Sequence, residues 1–289
     1  GQTQFWGYVL TARSGMWSQQ QYLDALAIDA AKYDRDRPGF AWRTMQDTTN
    51  DATAARRRGL PFRSWQMSEE YYSGGAMMWL AADAKLRALT SGRKSLDDFA
   101  QAFFAMDDGS YVTKTYTFDD VVAALNGVAA YDWAGFLNER IASLNPPLLD
   151  GIKASGWKLV YTDKKSEYEQ QYDGRPQSSR HLYNYAWSLG MSLNKAEIND
   201  VVWDGPAFKA GISTGATVMA VNGQEFSTAV LNDAIAAAKA GKDPIRLTLK
   251  YQGAVRDVAV DYHGGLQYPH LVRLEGTPDY LSQLIAPRK

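Results

Sequence analysis

Apolar positions recur at helical intervals through the first half of the chain and alternate like strands through much of the second. Ser18 and Gln21 have capping-box spacing, and Tyr22, Leu23, Leu26, Ala27 and Ala30 follow on one helical face. The opening residues, Gly1 to Leu10, read as part of an apolar helix entered without a cap, which is expected of a fragment. Residues 34–66 are polar and contain Gly and Pro, predicting loop with short helical pieces. Within them Arg56-Arg57-Arg58 reads as a solvated face. Ser68 is expected to start a long helix, with Glu69 and Glu70 at its positive end, that breaks at Ser91-Gly92-Arg93-Lys94. Ser95 with Asp98, and Thr117 with Asp120, repeat the cap spacing ahead of apolar runs. Asp132 opens a further helix that stops at Asn145-Pro146-Pro147. An all-helical block over 1–145 is the result.

The second half changes period. Trp157 to Tyr161 alternates like a strand and is followed by a polar stretch, Asp163 to Arg180, expected to open easily. Strand-like runs then occupy 186–193, 198–203, 217–221, 245–251 and 255–262, interrupted by a helix at 230–240. That content predicts a small, partly open barrel over 186–262, joined to the helical block by a connector, 146–185. The tail, 263–289, carries Leu266, Tyr268, Leu271, Leu281, Leu284 and Ile285, too apolar for a solvated end; it is expected to pack back on the helical block.

Composition narrows the chemistry. With 31 basic and 32 acidic residues the net charge is −1, which gives no global reason to expect nucleic acid as partner. No apolar run reaches the roughly 20 residues of a bilayer-spanning helix. The chain has no cysteine, so a disulfide framework, a thiolate metal site and a cysteine nucleophile are excluded. This is compatible with a periplasmic or secreted setting without establishing the compartment. The histidines are His181, His263 and His270, and none is followed by Glu-x-x-His. His181 reads as a surface residue, the other two as structural. Asp107-Asp108-Gly109-Ser110 lacks a spaced set of oxygen ligands and reads as a turn.

The stretch from Leu189 to Gly223 contains Leu189-Gly190-Met191-Ser192-Leu193, then Asp204-Gly205-Pro206-Ala207-Phe208-Lys209-Ala210-Gly211-Ile212, then Gly215-Ala216-Thr217 and Asn222-Gly223. It resembles a PDZ domain. Pro206 suits a first helical turn, Gly211 its C-terminal cap, and Asn222-Gly223 a type I′ turn. Ala216 departs from the family's usual Asp. The resemblance implies a peptide groove between a sheet edge and the 230–240 helix. Ser188, Leu189, Gly190 and Met191 would form the loop that meets the peptide's C-terminal carboxylate. The groove could equally be filled by the chain itself, or the domain could act as a spacer.

Glu69-Glu70-Tyr71-Tyr72-Ser73-Gly74-Gly75-Ala76, with the opening Gly1-Gln-Thr-Gln-Phe-Trp-Gly-Tyr8 and the later PDZ-like stretch, resembles the glycyl-aminopeptidase family. Those are zinc metallopeptidases with a thermolysin-like catalytic domain. The resemblance implies a multidomain α+β chain: the helical half of such a catalytic domain, then a PDZ domain. It also implies zinc in the intact enzyme but no cofactor in this chain. The family's HExxH is missing here, and its third ligand would stand immediately before Gly1, so no metal ligand is expected and the fragment is expected to be inactive. Tyr72, in Tyr72-Ser73-Gly74-Gly75, would stabilise the oxyanion, with Tyr71 as second choice. The partners implied are a peptide substrate or peptide C-terminus and the missing N-terminal part of the same protein. A non-catalytic PDZ peptide-binding or scaffold protein is the alternative.

Overall fold

The computed structural model describes residues 1–50, 62–172, 176–177 and 180–287. The Arg56–Arg58 run, part of the Asp163–Arg180 stretch and the side chain of His181 lie outside the described residues.

The capping boxes form as spelled in the sequence. Ser18 Oγ accepts the Gln21 amide at 3.1 Å and Gln21 Oε1 accepts the Ser18 amide at 2.8 Å, starting the helix Gln19–Arg35. Ser95 with Asp98 starts Leu96–Phe104, and Thr117 with Asp120 starts Phe118–Val128. Asp132 accepts the Gly135 amide at the head of Trp133–Ile141. Each cap satisfies amides that a helix start leaves free and contributes about 1 kcal/mol. The opening residues form the helix Gln2–Arg13, and short 3₁₀ turns occupy Pro38–Ala41 and Asp47–Thr49.

The longest apolar helix does not begin at Ser68. Met67 and Glu69 have φ of 52° and 55°, left-handed values that cannot continue a right-handed helix, and the helix runs Ser73–Leu89. It is the axis of the helical block. Met77, Leu80, Ala82 and Leu86 are buried on it, against Phe5, Val9, Leu26, Phe99, Trp133 and Leu137 from the surrounding helices.

Strand β1 (Trp157–Thr162) follows the block, and the helix Glu167–Tyr172 comes next. That helix is anchored within the stretch expected to open easily, because Tyr168 sets its ring edge-on to Trp17 at 5.5 Å. The PDZ-like unit contains β2 (Pro176–Gln177), β3 (Arg180–Tyr185), β4 (Met191–Asn194), β5 (Glu197–Val201), β6 (Thr217–Val221), β7 (Gln224–Glu225), β8 (Ile245–Tyr251) and β9 (Ala254–Val260). They form one antiparallel sheet in the order β2-β3-β4-β5-β6-β8-β9, with β7 on β6. Of the strand expected over 186–193, residues 186–190 are loop and only β4, from Met191, forms, while β3 ends at Tyr185 ahead of it. Sheet pairing therefore starts ahead of residue 186. The helix Thr228–Ala240 covers the sheet through Leu231 and Ile235, and Pro206–Lys209 supplies a short helix. Asn222-Gly223 turns with φ of 49° and 81°, as a type I′ turn requires.

The tail returns. Strand β10 (Tyr268–Arg273) pairs antiparallel with β1, from Trp157 opposite Arg273 to Thr162 opposite Tyr268. Beyond it Leu281, Leu284 and Ile285, on the helix Tyr280–Ile285, join the core of the helical block. Aromatic rings line the seam between the two units: Phe62 and Trp65 meet Trp203, with Phe208 behind.

Candidate functional site

The entry to the Ser73–Leu89 helix is shaped by close backbone approach. A Cβ on Gly75 would stand 2.6 Å from the Gly1 α-carbon, and one on Gly74 would meet Met45 Cε at 2.9 Å. Glycine at 75 is what lets the start of the first helix reach this backbone, while at 74 the flexible end of the Met45 side chain fills the space. Tyr72 lies at the helix cap and is 46% exposed. Tyr71 is half-buried, and its hydroxyl lies 3.4 Å from Glu69 Oε1. The two rings lie 4.8 Å apart, tilted by 35°. Adjacent residues of a helix would diverge by about 100°. These do not diverge, because Tyr71 belongs to the turn ahead of the helix. A cleft of about 150 Å³ opens beside them, lined in part by Gly1, Tyr71, Gly75 and Trp79.

Beneath the turn lies an ion cluster that sequence reasoning missed. The Glu70 carboxylate is 1% exposed and accepts from Arg37 Nε at 2.7 Å, Lys32 Nζ at 2.8 Å and the Tyr33 hydroxyl at 2.9 Å. Burial alone would raise the Glu70 carboxyl; the Arg37 and Lys32 charges outweigh it and hold the group below the usual range. Glu70 is therefore an anchor that pulls the turn down onto the Gln19–Arg35 helix, and not a surface acid facing a helix dipole. No local pattern announces this, since its partners stand more than thirty positions away in the chain.

Among the described residues no group of three or more His, Asp and Glu side chains is arranged to hold a metal. His263 Nδ1 lies 2.7 Å from the Ala238 carbonyl, and His270 Nε2 lies 2.7 Å from that of Lys164. No helix among the described residues is long and apolar enough to cross a membrane.

The loop ahead of β4 turns its side chains inward. Leu189 and Met191 are buried in the core of the PDZ-like unit, and Ser188 is 5% exposed, its Oγ accepting the Gln267 amide at 3.0 Å. Gly190 has φ of 72°, the left-handed value that lets the loop reverse into β4. The Gly190 and Leu189 carbonyls accept the Val202 and Ala207 amides, both at 2.8 Å, so the loop is pinned from below. Ser188, Leu189, Gly190 and Met191 form the turn into β4. They lie in a different unit from Tyr71 and Tyr72.

The crystal structure of an aminopeptidase N family protein from Idiomarina loihiensis matches 99% of this chain with a TM-score of 0.71 at 16% identity. At that identity the likeness is one of fold, and the chain spans about half the length of that protein, 48%. The architecture is thus multidomain α+β with an aminopeptidase-like fold. Residues 1–78 match the family described as M61 glycyl aminopeptidase, and residues 178–250 match the PDZ domain. The chain joins an M61 peptidase segment to a PDZ domain. No curated protein matches it.

Proposed function

We propose that this chain is the C-terminal part of a zinc-dependent aminopeptidase that releases small N-terminal residues, glycine or alanine, from peptides. Its PDZ domain serves peptide binding or domain positioning. The observation that carries the reading is the M61 match over 1–78, which contains the helix entry with Tyr71, Tyr72, Gly74 and Gly75.

Among the described residues no set of side chains fits zinc. His263 and His270 are engaged with the carbonyls of Ala238 and Lys164, and no histidine stands in a Glu-x-x-His motif. By the family resemblance the ligands would lie outside residues 1–289, the third directly before Gly1. Residues 1–289 alone are inactive on this reading. What this chain supplies is the Tyr72 hydroxyl, exposed at a helix N-terminus whose partial positive charge suits an oxyanion.

The test compares residues 1–289 with the full-length protein in hydrolysis of glycyl- and alanyl-p-nitroanilide and in metal content. Turnover and one zinc per chain are expected in the full-length protein only. Turnover by residues 1–289 alone, or a metal-free active full-length enzyme, overturns the reading.

A further inference from the structure

A peptide that adds to a PDZ sheet edge needs two things to be free. One is the row of backbone groups along the receiving strand; the other is a set of loop amides for its terminal carboxylate. Here β4 is paired on both sides, to β5 and to β3. Strand β3 runs antiparallel to β4, with Tyr183 opposite Leu193, Asn184 opposite Ser192 and Tyr185 opposite Met191. Its last residue arrives at the Ser188–Met191 loop, where the Tyr185 carbonyl oxygen accepts the amides of Ser188 at 3.1 Å and Gly190 at 3.0 Å. The Tyr185 ring is 3% exposed within the PDZ core. Its hydroxyl meets Asn232 Oδ1 at 2.9 Å, on the Thr228–Ala240 helix that forms the opposite wall. Strand pairing, capture of the terminal oxygen, the last side chain and the helix wall are all satisfied by one segment of this chain.

We propose that β3 is an intramolecular ligand of the PDZ groove, with Tyr185 in the place of a peptide's terminal residue, so that the domain is closed to C-terminal peptides. A segment on a short connection competes at an effective concentration in the millimolar range, so a peptide of micromolar affinity present at micromolar concentration does not displace it. The groove then holds the chain that enters the domain, which favours positioning over peptide capture. This inference rests on the PDZ fold and not on the zinc-peptidase reading; its test requires no enzyme activity.

The probe is a fluorescein-labelled peptide with the sequence of residues 180–185 and a free C-terminal carboxylate, with the carboxamide as control, read by fluorescence anisotropy. Because the chain has no cysteine, N184C with S192C can lock β3 to β4 by a single disulfide. Neither the wild-type chain nor the oxidised, locked variant should bind the probe. Tyr185→Ala, or Asn232→Ala if the first fails to fold, should bind it at least tenfold more tightly than wild type, and only with the free carboxylate. In the wild-type chain the Ser188 and Gly190 amides should exchange with solvent at least a hundredfold more slowly than an open loop. The proposal is overturned if wild type binds the carboxylate probe and locking abolishes that binding. Exchange of those two amides at open-loop rates, or a folded Tyr185→Ala variant no better than wild type, also overturns it.

Discussion

Ser64 Oγ accepts the backbone amide of Trp203 at 2.8 Å, a bond between residues 139 positions apart that ties the helical block to the PDZ domain. Ser64 itself is fully buried, and the Trp203 ring stacks on Trp65 at 5.1 Å with a 20° interplanar angle. Ser64→Ala strands the Trp203 amide, which costs about 1–3 kcal/mol. Trp203→Ala removes the stack as well. Calorimetry should then resolve two unfolding transitions where the wild-type chain shows one.

Glu70→Gln removes the charge that balances Arg37 and Lys32 in a buried site. Breaking such a cluster from one side costs about 3–5 kcal/mol, to be read from urea unfolding at neutral pH. A loss under 1 kcal/mol would mean that the turn is held by Met67 and its neighbours alone.

Asp200 supplies a pH dependence. Burial raises its carboxyl, and the nearby Asp36 charge adds to it, to about 6 from an ordinary value near 3.8. A folded-state value above the unfolded one favours the folded state fully below pH of about 4, and that benefit is lost as pH rises through about 6. Asp200→Asn cannot ionise and keeps the oxygen that accepts the Val201 amide. Its Tm should exceed wild type at pH 7.5 and converge with it below about pH 4, measured by scanning fluorimetry.

Tyr72→Phe in the full-length enzyme should lower kcat by about 10²–10³ with little change in KM, the scale of losing one oxyanion donor. Because the Tyr71 and Tyr72 rings pack together, each phenylalanine variant preserves the pair's contact and isolates a hydroxyl. Tyr71→Phe should keep near wild-type kcat. The reverse result would move the role to Tyr71.

Truncation after His263 removes β10 and the buried Leu281, Leu284 and Ile285. At roughly 1.5–3 kcal/mol for each buried aliphatic side chain, the helical block should lose several kcal/mol. Leu284→Ala alone should cost about 2–5 kcal/mol. An unchanged Tm in the truncated chain would show that the tail packs without contributing.

What was legible in the sequence was local. Three cap spacings, the Asn222-Gly223 turn, Pro206 and Gly211 announce themselves within a few positions, because the groups they satisfy are near in the chain. The start of the Ser73–Leu89 helix was not legible. Ser68-Glu69-Glu70 mimics a helix entry, and only Arg37 and Lys32, distant in sequence, turn Glu70 inward. Strand β3 was equally hidden: Tyr183-Asn184-Tyr185 lacks aliphatic alternation, and its place is set by β4 and Asn232. Tyr72 stood out as a candidate only through the family resemblance of Tyr72-Ser73-Gly74-Gly75, whereas Glu70 carried no such mark.

The pairing of Thr162 with Tyr268 has a consequence for synthesis. The chain leaves the helical block at β1, makes the PDZ domain, and returns at β10 to a facing position, about 5 Å across the ladder. At about 5–20 residues per second, the roughly hundred residues between these strands take about 5–20 s to emerge from a ribosome. Through that interval the helical block made ahead of the PDZ domain lacks Leu271, Leu281, Leu284 and Ile285, so its core closes only after that domain has emerged.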